Sequence, residues 1–197
     1  MPSGEFWKLD ALDEEFDFEH LDLALLDAAV FHETNRRRIE NDLTALTFKP
    51  VLREAARIQS RGMIRQEKVS HRHPDPAKKT VRDRFDFLGI ETRLLAENVA
   101  MVFGIRYKSG DKFYTRKQDG RTVFSVEPDG PPIPPHTYAS FAKHLLDEWM
   151  ASPGHRKNIL LPGAICLGVS SLHDRSSLGM DTFYSAQEFS GEIIVGD

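Results

Sequence analysis

Apolar residues recur at helical spacing in four stretches of the chain. Over residues 21–40 the row Leu21, Leu25, Ala28, Ala29 and His32 lies near one face, and Asn35 continues it, which is the pattern of an amphipathic helix. Pro50 opens a second helix, because proline suits a helix's first turn. Its stripe is Leu52, Ala55, Ala56, Gln59 and Met63, and Gly62 is placed to end or weaken it, giving a helix over 50–63. Val81, Phe85 and Leu88 outline a short helix over 80–88. After Pro134-Pro135 a fourth helix is predicted over 137–149, with Thr137 as its N-cap. Tyr138, Phe141, Ala142, Leu145 and Trp149 form its apolar face.

Strand patterns fill the rest. Residues 99–107 are apolar and rich in β-formers, while 112–115 and 122–126 flank Asp119-Gly120, a good hairpin turn pair. Residues 165–170 and 182–189 read as two core strands joined by a polar loop around 174–179. Helices followed by an antiparallel β section predict a layered α+β domain. The proline-rich stretch 128–135 is a stiff connector, too short to link domains.

Composition narrows the class. The chain has 197 residues, 40% hydrophobic and 28% charged, enough for one domain with a real core. A net charge of -4 excludes the strongly basic face that nucleic acid requires. The run Arg36-Arg37-Arg38 falls inside a helical pattern and reads as a solvated helix face. With one cysteine, Cys166, no intramolecular disulfide forms. Cys166 lies in the apolar run 165–169 and reads as a small buried hydrophobe rather than a nucleophile. No stretch reaches the roughly 18 apolar residues of a membrane span. Residues 1–20 form an acidic N-terminal extension, with Lys8 as its basic residue and no basic start or apolar run of a signal peptide.

Four polar segments interrupt the apolar pattern. Glu148 falls on or beside the stripe of Phe141 and Leu145. It either reaches solvent at the edge or needs a partner, since an unpaired buried charge is costly. Glu97 is a charge within the apolar run 94–99 and has the same need. Ser152-Pro153-Gly154 breaks the helix and turns the chain back, bringing His155 near Glu148; His155 reads either as a structural hydrogen bonder or as a ligand. Ser70-His71-Arg72-His73 is a loop after the second helix, in which either histidine is a ligand or simply solvated. Ser70 is a poor nucleophile candidate, because neighbours on a loop usually point apart.

Together these segments resemble the CAP superfamily, of the SCP-like, cysteine-poor prokaryotic type. The matches are Ser70-His71, Ala96-Glu97-Asn98, Glu148-Trp149-Met150 and Ser152-Pro153-Gly154-His155-Arg156, with Asn158-Ile159-Leu160 behind. Asn35-Arg36, Arg84, Gly168-Val169, Tyr184, Gln187 and Phe189 extend the resemblance over roughly residues 24–190. Two departures stand out. The final strand reads Thr182-Phe183-Tyr184-Ser185-Ala186-Gln187 in place of the Gly-His-Tyr-Thr-Gln type of the eukaryotic branches, and residues 104–136 form a rim insertion between the two glutamates.

The resemblance implies a three-layer α-β-α sandwich with a central, mainly antiparallel sheet over residues 21–197. It implies a cleft lined by His71, Glu97, Glu148 and His155. A divalent metal, zinc first, would be held by His71 and His155, with His73 as rival ligand and both glutamates behind. Arg84 and Asn158 are expected to be structural, Asn158 by bonding backbone in the turn after His155. The implied function is a secreted binding or interaction module, located extracellularly, in the periplasm or in the cell envelope. Its implied partners are a sterol, a fatty acid or another small ligand, or an extracellular protein. The alternative is a metal-assisted, protease-like hydrolase using the same cleft.

Overall fold

The structure is a computed structural model and describes residues 3–107, 110–118, 120–175 and 179–195. The chain begins with α1 (Ser3–Phe6), a 3-10 turn at Asp10–Asp13, α2 (Leu23–Ile39), β1 (Thr47–Phe48) and α3 (Pro50–Gln66). A 3-10 turn at Pro76–Lys78, α4 (Val81–Phe87), β2 (Ile90–Glu91) and β3 (Leu95–Phe103) follow. The insertion supplies β4 (Tyr114–Gln118) and β5 (Arg121–Ser125). Last come α5 (Tyr138–Ala151), α6 (Pro153–Ile159), β6 (Cys166–Arg175), β7 (Asp181–Ser190) and β8 (Ile194–Val195).

The central sheet has the order β1-β6-β7-β3. β6 with β7 and β7 with β3 are antiparallel, and the two-residue β1 joins β6 in parallel. Side chains alternate between the two faces. Leu167, Val169, Phe183 and Phe189 join Leu26, Ala29 and Val30 of α2 and Phe141, Leu145 and Trp149 of α5 in the main core. On the other face Val99, Tyr184 and Ala186 meet Ala56 and Met63 of α3, while Leu52 and Ala55 of α3 meet Phe85 of α4 and Cys166. Helices therefore cover both faces, which makes the α-β-α sandwich. Each fully buried large apolar side chain here stabilises by about 1.5–3 kcal/mol.

Four local differences from the sequence reading have clear causes. α3 passes through Gly62 and stops at Glu67, whose φ of 47° is left-handed. Gly62 is there for packing: a Cβ would come within 2.2 Å of the His73 ring. Ser152-Pro153-Gly154 starts a helix as well as ending one, since Pro153 occupies the first turn of α6. In the arginine run, Arg36 and Arg37 pair with the buried Glu33 and with Glu40 and Asp147 at the surface. Arg38 is instead fully buried and donates to the carbonyls of Thr44, Ile159 and Leu161, so it is not part of a solvated face. Finally, Asn158 does not serve its own turn; it reaches across to β3.

The acidic N-terminal segment contributes Phe6, Leu12 and Phe16 to the main core. The Phe16 ring lies 5.2 Å from that of Phe183, and its backbone N–H bonds the His136 carbonyl at 2.8 Å. In the insertion β4 and β5 pair from Tyr114↔Ser125 to Gln118↔Arg121. Asp119 of the expected turn, and residues 176–178 of the expected 174–179 loop, lie outside the described residues. Phe124, Ile133 and Met180 make a small satellite core beneath the hairpin.

Candidate functional site

β3 is the outer strand of the central sheet, and its direction of pairing decides what reaches the site. Gly104 N–H bonds the Asp181 carbonyl and Gly191 N–H bonds the Leu94 carbonyl, so even-numbered residues of β3 hydrogen-bond to β7. The backbone of Glu97 and Val99 therefore faces outward. There α5 and α6 meet it. Trp149 Nε1 donates to the Val99 carbonyl at 3.3 Å, and Asn158 Nδ2 donates to the Glu97 carbonyl at 3.0 Å and to Asn98 Oδ1 at 2.9 Å. Asn98 Nδ2 in turn donates to the His155 carbonyl at 3.2 Å. These bonds fix α6, and with it His155, against the edge of β3.

His71 arrives from the opposite face of the sheet. Gln59 of α3 holds the Ser70 carbonyl, which sets the loop that follows the helix. His71 Nδ1 then lies 2.7 Å from Glu97 Oε1. Facing a carboxylate, Nδ1 carries the proton and donates, which leaves Nε2 as the free lone pair. The His71 side chain is 58% exposed, whereas that of Glu97 is 2% exposed. Arg84, with a side chain 0% exposed, bonds Glu97 Oε2 and also reaches Glu188 Oε1 at 3.0 Å. The same guanidinium also ties in the preceding loop, donating from Nη1 to the Lys78 carbonyl at 3.3 Å.

The electrostatics follow from burial. It pushes the Glu97 carboxyl up to about 7, while Arg84 and a hydrogen bond with Glu188 pull it down. Burial and then the charge of Glu97 raise Glu188 far above the usual carboxylate range. His71 is lowered chiefly by burial, and His155 by burial and then by the charge of His71. The charge of His71 is thus felt at His155.

Of the four residues singled out by sequence, His71 and Glu97 meet directly, and the His155 carbonyl is held by Asn98, the neighbour of Glu97. Glu148 ends up exposed on the last turn of α5, with no ion pair among the described residues, so its solvent-facing reading is the realised one. His73 is buried against Gly62 and accepts the Asp75 N–H at 3.0 Å, which makes it a packing residue of the loop. The Ser70 hydroxyl is engaged with both backbone groups of Arg72 rather than with His71. Glu188 was passed over in the sequence, although a glutamate inside the core strand 182–189 is itself a signal.

Spaces of about 700 Å³ beside Arg82 and Gly191, of about 460 Å³ beneath Phe16–Glu19, and of about 390 Å³ between Phe31 and Phe48 are lined by none of the four residues. Among the described residues no group of three or more His, Cys, Asp or Glu is assembled to hold a metal ion. Among the described residues no helix is long and apolar enough to cross a membrane.

Residues 31–189 match the model of a family described as "CAP: Cysteine-rich secretory protein family". An extracellular protein containing a SCP domain from Bacillus anthracis is similar in structure, with a TM-score of 0.56 and 22% identity over 85% of this chain. The chain spans 40% of that protein's length. An outer surface protein from Borrelia burgdorferi gives a TM-score of 0.54 and 12% identity over 87% of this chain and 96% of its own. A cysteine-rich secretory protein from Staphylococcus aureus gives a TM-score of 0.54 and 14% identity over 87% of this chain and 40% of its own. These likenesses are of fold. The chain has no significant match among curated proteins.

Proposed function

The chain belongs to the CAP family, and from that premise we propose that it is a non-enzymatic binding module of the cell exterior whose ligand-taking groups are His71 and His155. The observation that carries this reading is the 2.7 Å bond from His71 Nδ1 to the buried Glu97. It fixes the tautomer and leaves the basic Nε2 as the lone pair of the ring, which His155 would join in holding a ligand. Such a pair takes a divalent ion, zinc by donor type, or a polar ligand group that donates to two imidazoles. A bound zinc would supply a positive charge to which an anionic or carbonyl group of a ligand attaches. Glu97 orients His71, Arg84 holds Glu97, and Asn98 with Asn158 holds His155. Export of this chain is part of the same reading and is supported by the extracellular and outer-surface descriptions of its structural relatives.

Imidazole ¹H–¹⁵N spectra recorded during addition of zinc chloride test the assignment. Signals of His71 and His155 shift together, and those of His73 and His136 stay in place. A shift confined to other histidines overturns it. The pH dependence has a definite sign. Protons compete for the ring nitrogens, and burial holds both pKa values below the usual value of about 6.5. Zinc affinity is therefore retained at neutral pH and falls only as pH drops below that value.

A further inference from the structure

Two carboxyl groups, Glu97 and Glu188, lie directly opposite each other on β3 and β7, in a part of the molecule that water does not reach. One cation, Arg84, serves both. The donors are divided unequally. Glu97 accepts on Oε1 from His71 and on Oε2 from Arg84. Glu188 accepts on Oε1 only, from Arg84 Nε at 3.3 Å and Nη2 at 3.0 Å. Its other oxygen, Oε2, is buried with nothing donating to it. A bare carboxylate oxygen in such a place is costly, whereas a hydroxyl needs only an acceptor.

We propose that Glu188 stands as a neutral carboxylic acid at neutral pH, and that its Oε2–H donates to Glu97, making Glu188 a positioning residue for the carboxyl group that meets His71. One proton shared by two adjacent carboxyls balances the single guanidinium, leaving the buried cluster neutral. Other groups around Glu188 do not disturb this. β6 places Gly168 beside it. α3, packed on the same strands, adds the buried neutral side chains Ala55, Ala56 and Gln59. His71 bonds Glu97 and lies within electrostatic reach of Glu188 and Arg84, and the buried His73 lies within reach of Arg84. The direction of the Glu188 shift, upward through burial and the Glu97 charge, agrees with the donor count.

This deepens the reading of the cleft only by naming what holds Glu97, and its test uses no ligand, so the two fail separately. Glutamate carboxyl carbons of the ¹³C-labelled wild-type protein are followed from pH 5 to 9. At pH 7 Glu188 is expected at the shift of a protonated acid. The assignment comes from Glu188→Gln, which also keeps a neutral group able to donate to Glu97 and accept from Arg84. In Glu188→Gln the His71 Nδ1–H signal persists at its wild-type position, and in Glu188→Leu it moves. A second readout is thermal stability against pH. A raised folded-state pKa gives stability that is whole below the unfolded pKa of about 4.3 and drains as pH climbs toward the folded value. The melting temperature of Glu188→Gln should thus gain on wild type steadily from pH 5 to 9. An ionised Glu188 at pH 7, or a Glu188→Gln offset that is flat with pH, overturns the proposal.

Discussion

Replacing Arg84 by methionine is expected to lower stability at pH 7.5 by about 3–5 kcal/mol, the range seen when one member of a buried ion pair is removed. In a chain of this size that corresponds to a fall in melting temperature of roughly 10–15 °C. The physical reason is that Glu97 and Glu188 both lose their cation while remaining in a dry interior. The loss should depend on pH in one direction. Without Arg84 both carboxyls bind protons more tightly folded than unfolded, so their stabilising protonation is complete at low pH and lost as pH rises. The deficit relative to wild type, measured by calorimetric melting, therefore shrinks from pH 8 to pH 5. Arg84→Lys should fall between the two, because a single ammonium does not span both carboxyls as the guanidinium fork does. A deficit that grows on acidification contradicts this account.

The second large effect is predicted at Gly168, where backbone meets backbone. A Cβ there would lie 2.1 Å from Arg53 N and from the Leu52 carbonyl carbon, and 2.6 Å from Leu52 Cβ. Neither backbone group has room to yield, since the start of α3 is bound to β6 by Lys49 N–H to the Leu167 carbonyl at 3.1 Å and to α2 by Arg53 to Asp27 at 2.8 Å. Gly168→Ala must lift α3 off β6, and a cost of about 3 kcal/mol or more is expected. Gly154→Ala is the matched control: nothing lies within 4 Å of its added methyl, and alanine favours helix α6. Its melting temperature should equal or slightly exceed that of wild type, since alanine in a helix is better than glycine by up to about 1 kcal/mol. Equal stability of the two variants would refute the close packing of α3 on β6.

Much of the fold was legible because periodic stripes report burial. The stripe Leu52, Ala55, Ala56, Gln59 and Met63 is buried as read, and Thr137 does cap α5, in a capping box with Ser140. Cys166 is a buried hydrophobe. What periodicity does not carry is why a glycine is there. Gly62 looked like a stop and proved to be a seat for His73, a contact set by residues eleven positions further on. Arg38 looked solvated because its neighbours are, yet its guanidinium caps carbonyls at the end of α6, far away in sequence.

The site was legible in part for the same reason. Glu97 stood out as a charge in an apolar run, and its partner His71 came from the family pattern. Glu188 did not stand out, because the strand was read by its apolar residues and its register against β3 is not written in either strand alone. The residues alone did not separate His71 from His73; the family pattern favoured His71. The backbone bond of His73 N–H to the Lys79 carbonyl at 3.0 Å turns that ring inward, and only the folded loop shows it.

Calorimetric titration with zinc at pH 7.5 tests the central claim, that His71 and His155 are the ligand-taking pair. Wild type and a His71→Ala/His155→Ala double variant are compared, with melting curves confirming that both are folded. Neither ring carries the core, so folding should survive the change. The account predicts a single weak-to-moderate zinc site in wild type, since two imidazoles are fewer than the three protein ligands usual in catalytic zinc centres. That site vanishes in the double variant. Equal zinc binding by the two proteins would contradict the assignment and remove the paired imidazoles from the function of this chain.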